Sequence, residues 1–371
     1  MPVDIDGMWG TPSAQPQHDV CGTQVQEHKE VPVAIVGGFD VHRKQITFDY
    51  LDTVSGEVHC GKITPACRGQ LRGWLRELEI RPAGFAVEGC TGWRFVVEEL
   101  RAAGVDAHLA EPADTAALRG TKRRAKTDRL DSRHLRELLA AGNLPESWVP
   151  PAHVLEARSR VRLYKTLVDE RTAWCQRIHA QLFHHGAPAQ PGLLTREGRL
   201  RLDQADLSPA GRDVVAVALR IIDALGDELE LLRAEIAALA RRQPGCRALR
   251  THYGVGSVTS VAIWAELGDC QRFSSSDDAV RHTGLDVTVH SSDGKRTRGR
   301  LARQGPPALR WALFEAAKCA ARRTSPDHQY YLEVRERLGA NRATLSVARK
   351  LARRCHHTLR VLGDDAFAPV G

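Results

Sequence analysis

Val33-Ala34-Ile35-Val36-Gly37-Gly38-Phe39-Asp40 is an apolar run that closes on an acid. The run is strand-like, and Asp40 sits where the strand ends. A second acid is placed the same way: Glu88 closes Gly84-Phe85-Ala86-Val87. Two more, Asp128 and Asp131, lie three residues apart in Lys126-Thr127-Asp128-Arg129-Leu130-Asp131, which reads as the first turn of a helix. Three helical residues advance about 4.5 Å and stay on one face, so both carboxylates can serve one site. Acids at strand ends and on a helix face can converge into a cage of oxygen ligands, which hard divalent cations require. Two such ions promote in-line attack on a phosphodiester. Singly, each Asp is more often a cap or a surface group. Asp128 is itself a candidate N-cap, with Thr127 the alternative, and Asp49, Asp52 and Asp114 show that acids are plentiful. The joint placement of four is what points to a metal.

Outward from the first strand, Gln45 to Leu51 alternates apolar and polar, and Glu57 to Ile63 reads as a third strand. Short connections make these three an antiparallel meander. Leu71, Trp74, Leu75 and Leu78 recur at helical spacing, followed by the strand ending at Glu88. A helix over Trp93 to Ala103, a strand from Val105 to Leu109 and a helix from about Asp128 to Ala141 complete the domain, residues 31–151. The order βββαβαβα is that of α/β ribonuclease H-like nuclease domains. There the first and fourth strands are neighbours, which would set Asp40 beside Glu88.

Asn143 to Ala152, with three prolines, is a linker, and long helices follow it. One spans 154–185. Another, from about Pro209 to Arg242, carries Ile222, Leu225, Leu229, Leu232, Ile236 and Leu239 at the 3-4 spacing of a coiled-coil seam. Residues 152–243 therefore read as an antiparallel coiled-coil hairpin, either a spacer or a dimerisation arm. Gln243-Pro244-Gly245 opens a mainly helical domain, 244–325. In it, Gly254-Val255-Gly256 resembles the hairpin of helix-hairpin-helix modules, which offer N–H groups to DNA phosphates. Residues 326–371 contain a basic amphipathic helix from Asn341 to Leu362, and residues 1–30 read as a flexible extension without a signal-peptide core.

The 371 residues, 42% hydrophobic and 26% charged, have the composition of a folded soluble protein. Fifty-three Lys and Arg against 45 acids leave +8, a mild bias toward a polyanionic partner. Distribution says more than the sum. Lys122, Arg123, Arg124 and Lys126 adjoin the helical acids, and Lys295, Arg296, Arg298 and Arg300 follow two serines. Both groups are candidate nucleic-acid contacts; a third cluster, Arg349 to Arg354, reads singly as a solvated face. Nine scattered cysteines without a Cys-x-x-Cys pair suit a reduced cytosolic setting. There is no run of 18 or more apolar residues, so nothing is expected to span a membrane. Ser291-Ser292-Asp293-Gly294 reads by itself as a turn. As a nucleophile either serine needs nearby cations to stabilise its alkoxide and the pentavalent phosphate, which the basic cluster would supply.

Gly38-Phe39-Asp40-Val41-His42-Arg43, Val87-Glu88-Gly89-Cys90-Thr91-Gly92 and Lys126-Thr127-Asp128-Arg129-Leu130-Asp131 resemble the DEDD signature of the insertion sequence 110 family of transposases. Gly254-Val255-Gly256, Phe273, Gly284-Leu285, Ser291 to Arg296, Gly299-Arg300 and Leu309-Arg310 resemble that family's second domain. The likeness runs over residues 31 to 362, in order and at natural spacing. It implies a Holliday-junction-resolvase-like, ribonuclease H-type first domain that binds Mg²⁺ or Mn²⁺ through Asp40, Glu88, Asp128 and Asp131. It also implies a nucleophilic Ser292 that links covalently to DNA, a non-coding guide RNA that pairs with donor and target DNA, and a dimer or tetramer in the bacterial cytoplasm. The family's serine is followed directly by glycine, whereas Asp293 intervenes here, so Ser291 stays as the alternative. Two rival readings of the residues are a metal-dependent junction or RNA–DNA nuclease without a covalent step and a non-catalytic nucleic-acid-binding protein.

Overall fold

A computed structural model describes residues 34–78, 82–119, 127–188, 190–287, 290–292, 295–297 and 301–370, the six residues 290–292 and 295–297 by backbone alone. Two compact units divide between Ser147 and Trp148.

The first unit is built on strands β1 (Ile35–Val41), β2 (Ile46–Asp52) and β3 (Val58–Ile63), helix α1 (Arg68–Glu77), β4 (Ala83–Glu88), α2 (Trp93–Ala102), β5 (Asp106–Ala110), α3 (Pro112–Ala117) and α4 (Asp128–Ala140). Six-residue α3, opened by Pro112, is too short to show a helical period in the sequence. The sheet order is β3-β2-β1-β4-β5. The first three strands pair antiparallel, and β4 joins β1 in parallel, with β5 parallel to β4. The first and fourth strands are thus neighbours.

Successive strand residues point to opposite faces, and β1 uses this at every step. On one face Phe39 stacks on Phe85 with ring centroids 4.7 Å apart, and Trp74 of α1 meets Phe39 edge-on at 5.5 Å. Gly37 lies under the same Phe85: a Cβ there would come within 2.1 Å of the ring. Gly38 faces the other way, where α4 crosses so closely that a Cβ would sit 2.3 Å from the Ser132 carbonyl oxygen. Helix α4 is also pinned to β2 by a buried ion pair between Arg136 and Asp49. Breaking such a pair by removing one partner costs about 3–5 kcal/mol.

The second unit is almost wholly helical: α5 (Ala152–His184), α6 (Arg196–Asp203), α7 (Pro209–Arg242), α8 (Pro244–Leu249), α9 (Ser257–Leu267), α10 (Ser276–Thr283), α11 (Pro307–Ala317), α12 (His328–Leu338) and α13 (Ala340–Leu362), with a two-stranded ribbon, β6 (His290–Ser292) and β7 (Lys295–Thr297). Helix α11 stops at Ala317 and tightens into a 3-10 turn over Lys318–Ala321. The long helices α5 and α7 pair antiparallel, since His185 meets Ser208, Tyr164 meets Arg233 and Arg160 meets Glu235. Of the predicted seam, Ile222, Leu229 and Ile236 are buried and Leu225, Leu232 and Leu239 half-buried. At the turn end a small core gathers Ile178, Leu182, Leu202, Val215 and Ile222. The larger core runs from Val154 and Val161 through Leu229, Ile236, Trp264 and Leu313 to Leu351 and Leu359. Residues from 152–243, 244–325 and 326–371 therefore contribute to one packed interior.

The basic helix α13 spends its cations inside this unit. Lys350 and Arg354 hold Asp327, Arg353 holds Asp277, and Arg349 and Arg360 donate to the carbonyls of Leu285 and Phe273. Cys355 and His356 belong to its buried face. No helix among the described residues is long and apolar enough to cross a membrane.

Candidate functional site

Asp40 is the sixth residue of β1 and only 5% exposed. Glu88 ends β4, one step beyond the Phe39↔Val87 pair. Both lie on the sheet face that α4 covers, because Gly38 and Ala86 share it two residues earlier. Thr127 is the N-cap of α4: its hydroxyl accepts from the Leu130 N–H at 3.3 Å. Asp128, the first helical residue, is thereby relieved of capping, and Asp131 follows one turn later, buried. The absence of side chains at Gly38 and the single methyl of Ala86 let α4 approach, and with it the two helical acids.

The turn between β1 and β2 completes the cluster. It closes through the His42 N–H donating to the Gln45 carbonyl at 2.9 Å. From it, the His42 Nε2 reaches Asp40 Oδ2 at 3.1 Å and Asp128 Oδ1 at 3.4 Å. Gln45 Nε2 donates to the other Asp128 oxygen at 3.0 Å. Asp40, His42 and Asp128 thus bring one donor atom each within 4.8 Å of one another. The sequence reading passes over His42. Its signal is the Asp-x-His spacing at a strand end, which returns to the same face after two residues.

Glu88 and Asp131 stand outside that tight trio but within its field. Burial pushes the Asp40 carboxyl above its ordinary value; His42 pulls it back, while Asp131, Asp128 and Glu88 push it up again. Asp131 is met by the Arg119 guanidinium. Cys90 hydrogen-bonds the Val41 carbonyl at 3.5 Å, and burial, with Glu88 and Asp40 beside it, raises its thiol, which keeps it protonated and unreactive. Opposite Asp40 on β2, the Thr47 hydroxyl is buried without a hydrogen-bond partner. Carboxylate oxygens that repel one another, one imidazole nitrogen and an unsatisfied hydroxyl make a donor set that fits a divalent cation.

The serines lie in the second unit. Ser291 and Ser292 are in β6, where Ser292 pairs with Lys295 and Ser291 with Arg296 of β7. Arg298 and Arg300 fall outside the described residues, as do Lys122, Arg123, Arg124 and Lys126. The ribbon's base is held firmly. Val287 bridges to Leu301, the Ala302 N–H donates to the Asp286 carbonyl at 3.0 Å, and the Arg303 N–H donates to the Gly284 carbonyl at 3.2 Å. Arg303 takes φ 55°, unusual for a residue with a side chain. A Cβ on Gly284 would come within 2.2 Å of the Gln304 carbonyl, so only glycine allows the two chains to cross there. Arg310 donates to the Thr283 carbonyl at 3.2 Å, and Arg349 donates to that of Leu285 at 2.6 Å. Gly254 serves packing in turn, its Cα lying against the Ala316 carbonyl of α11, where a Cβ would come within 2.3 Å.

Two family models match the chain. A DEDD transposase model of the IS110 group covers residues 38–185, and the model described as the transposase IS116/IS110/IS902 family covers residues 246–332. The chain belongs to the IS110 family of transposases. It is 26% identical to a probable family 20 transposase of Pseudomonas aeruginosa over 77% of this chain and 86% of that protein. It is 23% identical to the transposase for insertion sequence element IS1111A of Coxiella burnetii, over 72% of this chain and 74% of the other. With the transposase for insertion sequence element IS1328 of Yersinia enterocolitica it shares 24% identity over 64% and 70%. A transposase cuts and transfers DNA, so DNA is a partner of this IS110-family enzyme. The four acids fall within the first match and the serine ribbon within the second.

Proposed function

We propose that this transposase exchanges DNA strands through a phosphoserine at Ser292, with a divalent cation, Mg²⁺ or Mn²⁺, held by Asp40, Glu88, Asp128 and Asp131. The observation that carries the reading is the meeting of Asp40 and Asp128, from a strand and a helix 88 residues apart in sequence, on one face of a ribonuclease H-like sheet. When bound, the cation would neutralise phosphate charge and polarise the scissile phosphodiester. The remaining work belongs to the chain. Ser292 Oγ gives up its proton and bonds to phosphorus, one P–O ester bond breaks, and the released hydroxyl takes a proton. A hydroxyl of the partner strand then reverses the step, conserving bond energy without ATP. Lys295, Arg296, Arg298 and Arg300 would offset the charge on the pentavalent phosphate, and Lys122, Arg123, Arg124 and Lys126 would hold backbone phosphates.

A non-coding RNA pairing with donor and target DNA would select the sites, so that side chains need read only shape and phosphate. The α8–α9 connection, which resembles a helix-hairpin-helix, would present backbone N–H groups to DNA. The α5–α7 pair serves as a coiled-coil arm between subunits; Phe183, 86% exposed, and Leu231, 64% exposed, face outward from it.

Denaturing electrophoresis of the protein with labelled DNA and guide RNA tests the chemistry. A protein–DNA adduct that disappears in Ser292→Ala and persists in Ser291→Ala is the expected result. An undiminished adduct in Ser292→Ala overturns the nucleophile, and Mg²⁺-dependent cleavage that survives loss of both serines returns the protein to a simple nuclease.

A further inference from the structure

Resting on the reading of the acids as a metal centre, we infer that His42 is itself a ligand, a nitrogen donor that shifts the site away from Mg²⁺ toward first-row transition dications such as Mn²⁺. Metal–ligand bonds of about 2.1 Å place adjacent donors of an octahedron about 3.0 Å apart. The His42 Nε2 stands 3.1 Å from Asp40 Oδ2 and 3.4 Å from Asp128 Oδ1, so the nitrogen has the spacing of a neighbouring ligand to each oxygen, and all three donors lie within 4.8 Å of one another. The orientation of each is fixed from outside the trio. Gln45 holds the second oxygen of Asp128 and leaves Oδ1 toward His42. The turn hydrogen bond from the His42 N–H to the Gln45 carbonyl fixes where the imidazole starts. Asp40 is set by its pairing with Thr47 of β2, one residue beyond the last pair of β1 with β4.

The alternative use of His42, as a cationic partner for two acids, leaves an observation unexplained. Thr47, 3% exposed and directly opposite Asp40 on the same sheet face, has a buried hydroxyl with no partner. A buried hydroxyl without a hydrogen bond costs on the order of 1–3 kcal/mol, and an ion with its water at Asp40 supplies what it lacks. Mg²⁺ takes oxygen ligands almost exclusively, whereas an imidazole favours transition metals. One nitrogen among carboxylates therefore sets a preference that four acids alone do not.

Mn²⁺ is the probe, because its electron spin reports directly bonded nuclei. In the full-length protein loaded with one equivalent of Mn²⁺, pulsed electron paramagnetic resonance should show ¹⁴N modulation that converts to ¹⁵N when the histidines are ¹⁵N-labelled. His42→Ala should abolish it and weaken Mn²⁺ binding by roughly 10-fold or more, the scale set by residues around metal sites, with Mg²⁺ affinity changed far less. A Mn²⁺ signal without nitrogen coupling in the unaltered protein overturns the proposal, as does an equal loss of both metals in His42→Ala. Asp40→Asn and Asp128→Asn separate the two readings. If they abolish Mn²⁺ binding while nitrogen coupling is absent, the acid centre stands and the His42 ligand falls; if the unaltered protein binds no Mn²⁺, both fall.

Discussion

Gly38 decides how near the helical acids come to Asp40. A methyl at this position meets the Ser132 carbonyl at 2.3 Å and the Arg136 nitrogen at 2.8 Å, both of them helix backbone that cannot rotate aside. Gly38→Ala should therefore lift α4 from β1, cost about 1–3 kcal/mol in urea denaturation, and weaken divalent-ion binding at the same time. Arg119 acts in the opposite sense. Its guanidinium lies on Asp131, whose charge also bears on Asp40, so it competes with any cation at the centre. Arg119→Ala should tighten Mn²⁺ binding several-fold in calorimetric titration; unchanged or weaker binding would show that the pair only anchors the helix.

At the scale of elements, the ribbon bearing Ser292 is positioned from its base. Arg310 and Arg349, from α11 and α13, fasten the carbonyls of Thr283 and Leu285 just before it. Arg310→Ala should lower the rate of serine–DNA adduct formation about 10-fold or more while leaving divalent-ion affinity at the acid centre unchanged, because the two sites lie in different units. What the sequence could reveal divides along the same line. Strands β1 and β4 were readable because their apolar runs end abruptly on acids, and α4 because Thr127-Asp128 marks its start. The paired residues Ser291-Ser292 and Lys295-Arg296 flank Asp293-Gly294, a strong two-residue hairpin signal, though alone these serines read as an ordinary turn. The role of His42 is hard to read because its one signal, the Asp-x-His spacing at a strand end, is too short to form a distinctive period. Likewise, the basic stretch Arg349 to Arg354 gives no local hint that Asp277, Asp327 and the Leu285 carbonyl, far away in sequence, absorb its charge. Long-range partners are set by packing, which a linear pattern does not contain.

For the whole helical unit, charge burial sets the response to pH. Glu266, 1% exposed in α9, is gripped by Arg158 and Arg162 of α5. Burial brings Arg158 down to about 10, still charged at neutral pH. Glu266→Gln should destabilise the unit by about 3 kcal/mol in denaturant titration, because it strands a buried guanidinium. Burial, reinforced by Arg272, lowers His282 to about 4, and burial likewise lowers His252 and His356. These groups bind protons more readily unfolded than folded. Their contribution is thus complete above the unfolded value of about 6.5 and is lost as pH falls toward 4. The thermal midpoint should fall between pH 7.5 and pH 5, and His282→Asn should flatten that fall. A midpoint independent of pH over this range would rule out the buried neutral histidines as its source.

The adjacent glycines of β1 have one more effect, on error tolerance. Gly37 clears the aromatic layer and Gly38 clears α4, and a strand slipped by one residue keeps only one of these clearances, because Val36 or Phe39 takes the place of the other glycine. A slip that sets Gly37 under α4 brings Val36 against the Phe85 ring and Phe39 to the place of Asp40, among the carboxylates. The opposite slip drives Phe39 into the backbone of α4. Gly37-Gly38 is therefore the proofreading pair of the strand. Exchanging Phe39 and Asp40 should lower the urea midpoint without rescuing a slipped alignment, since Val36 would still meet Phe85 there.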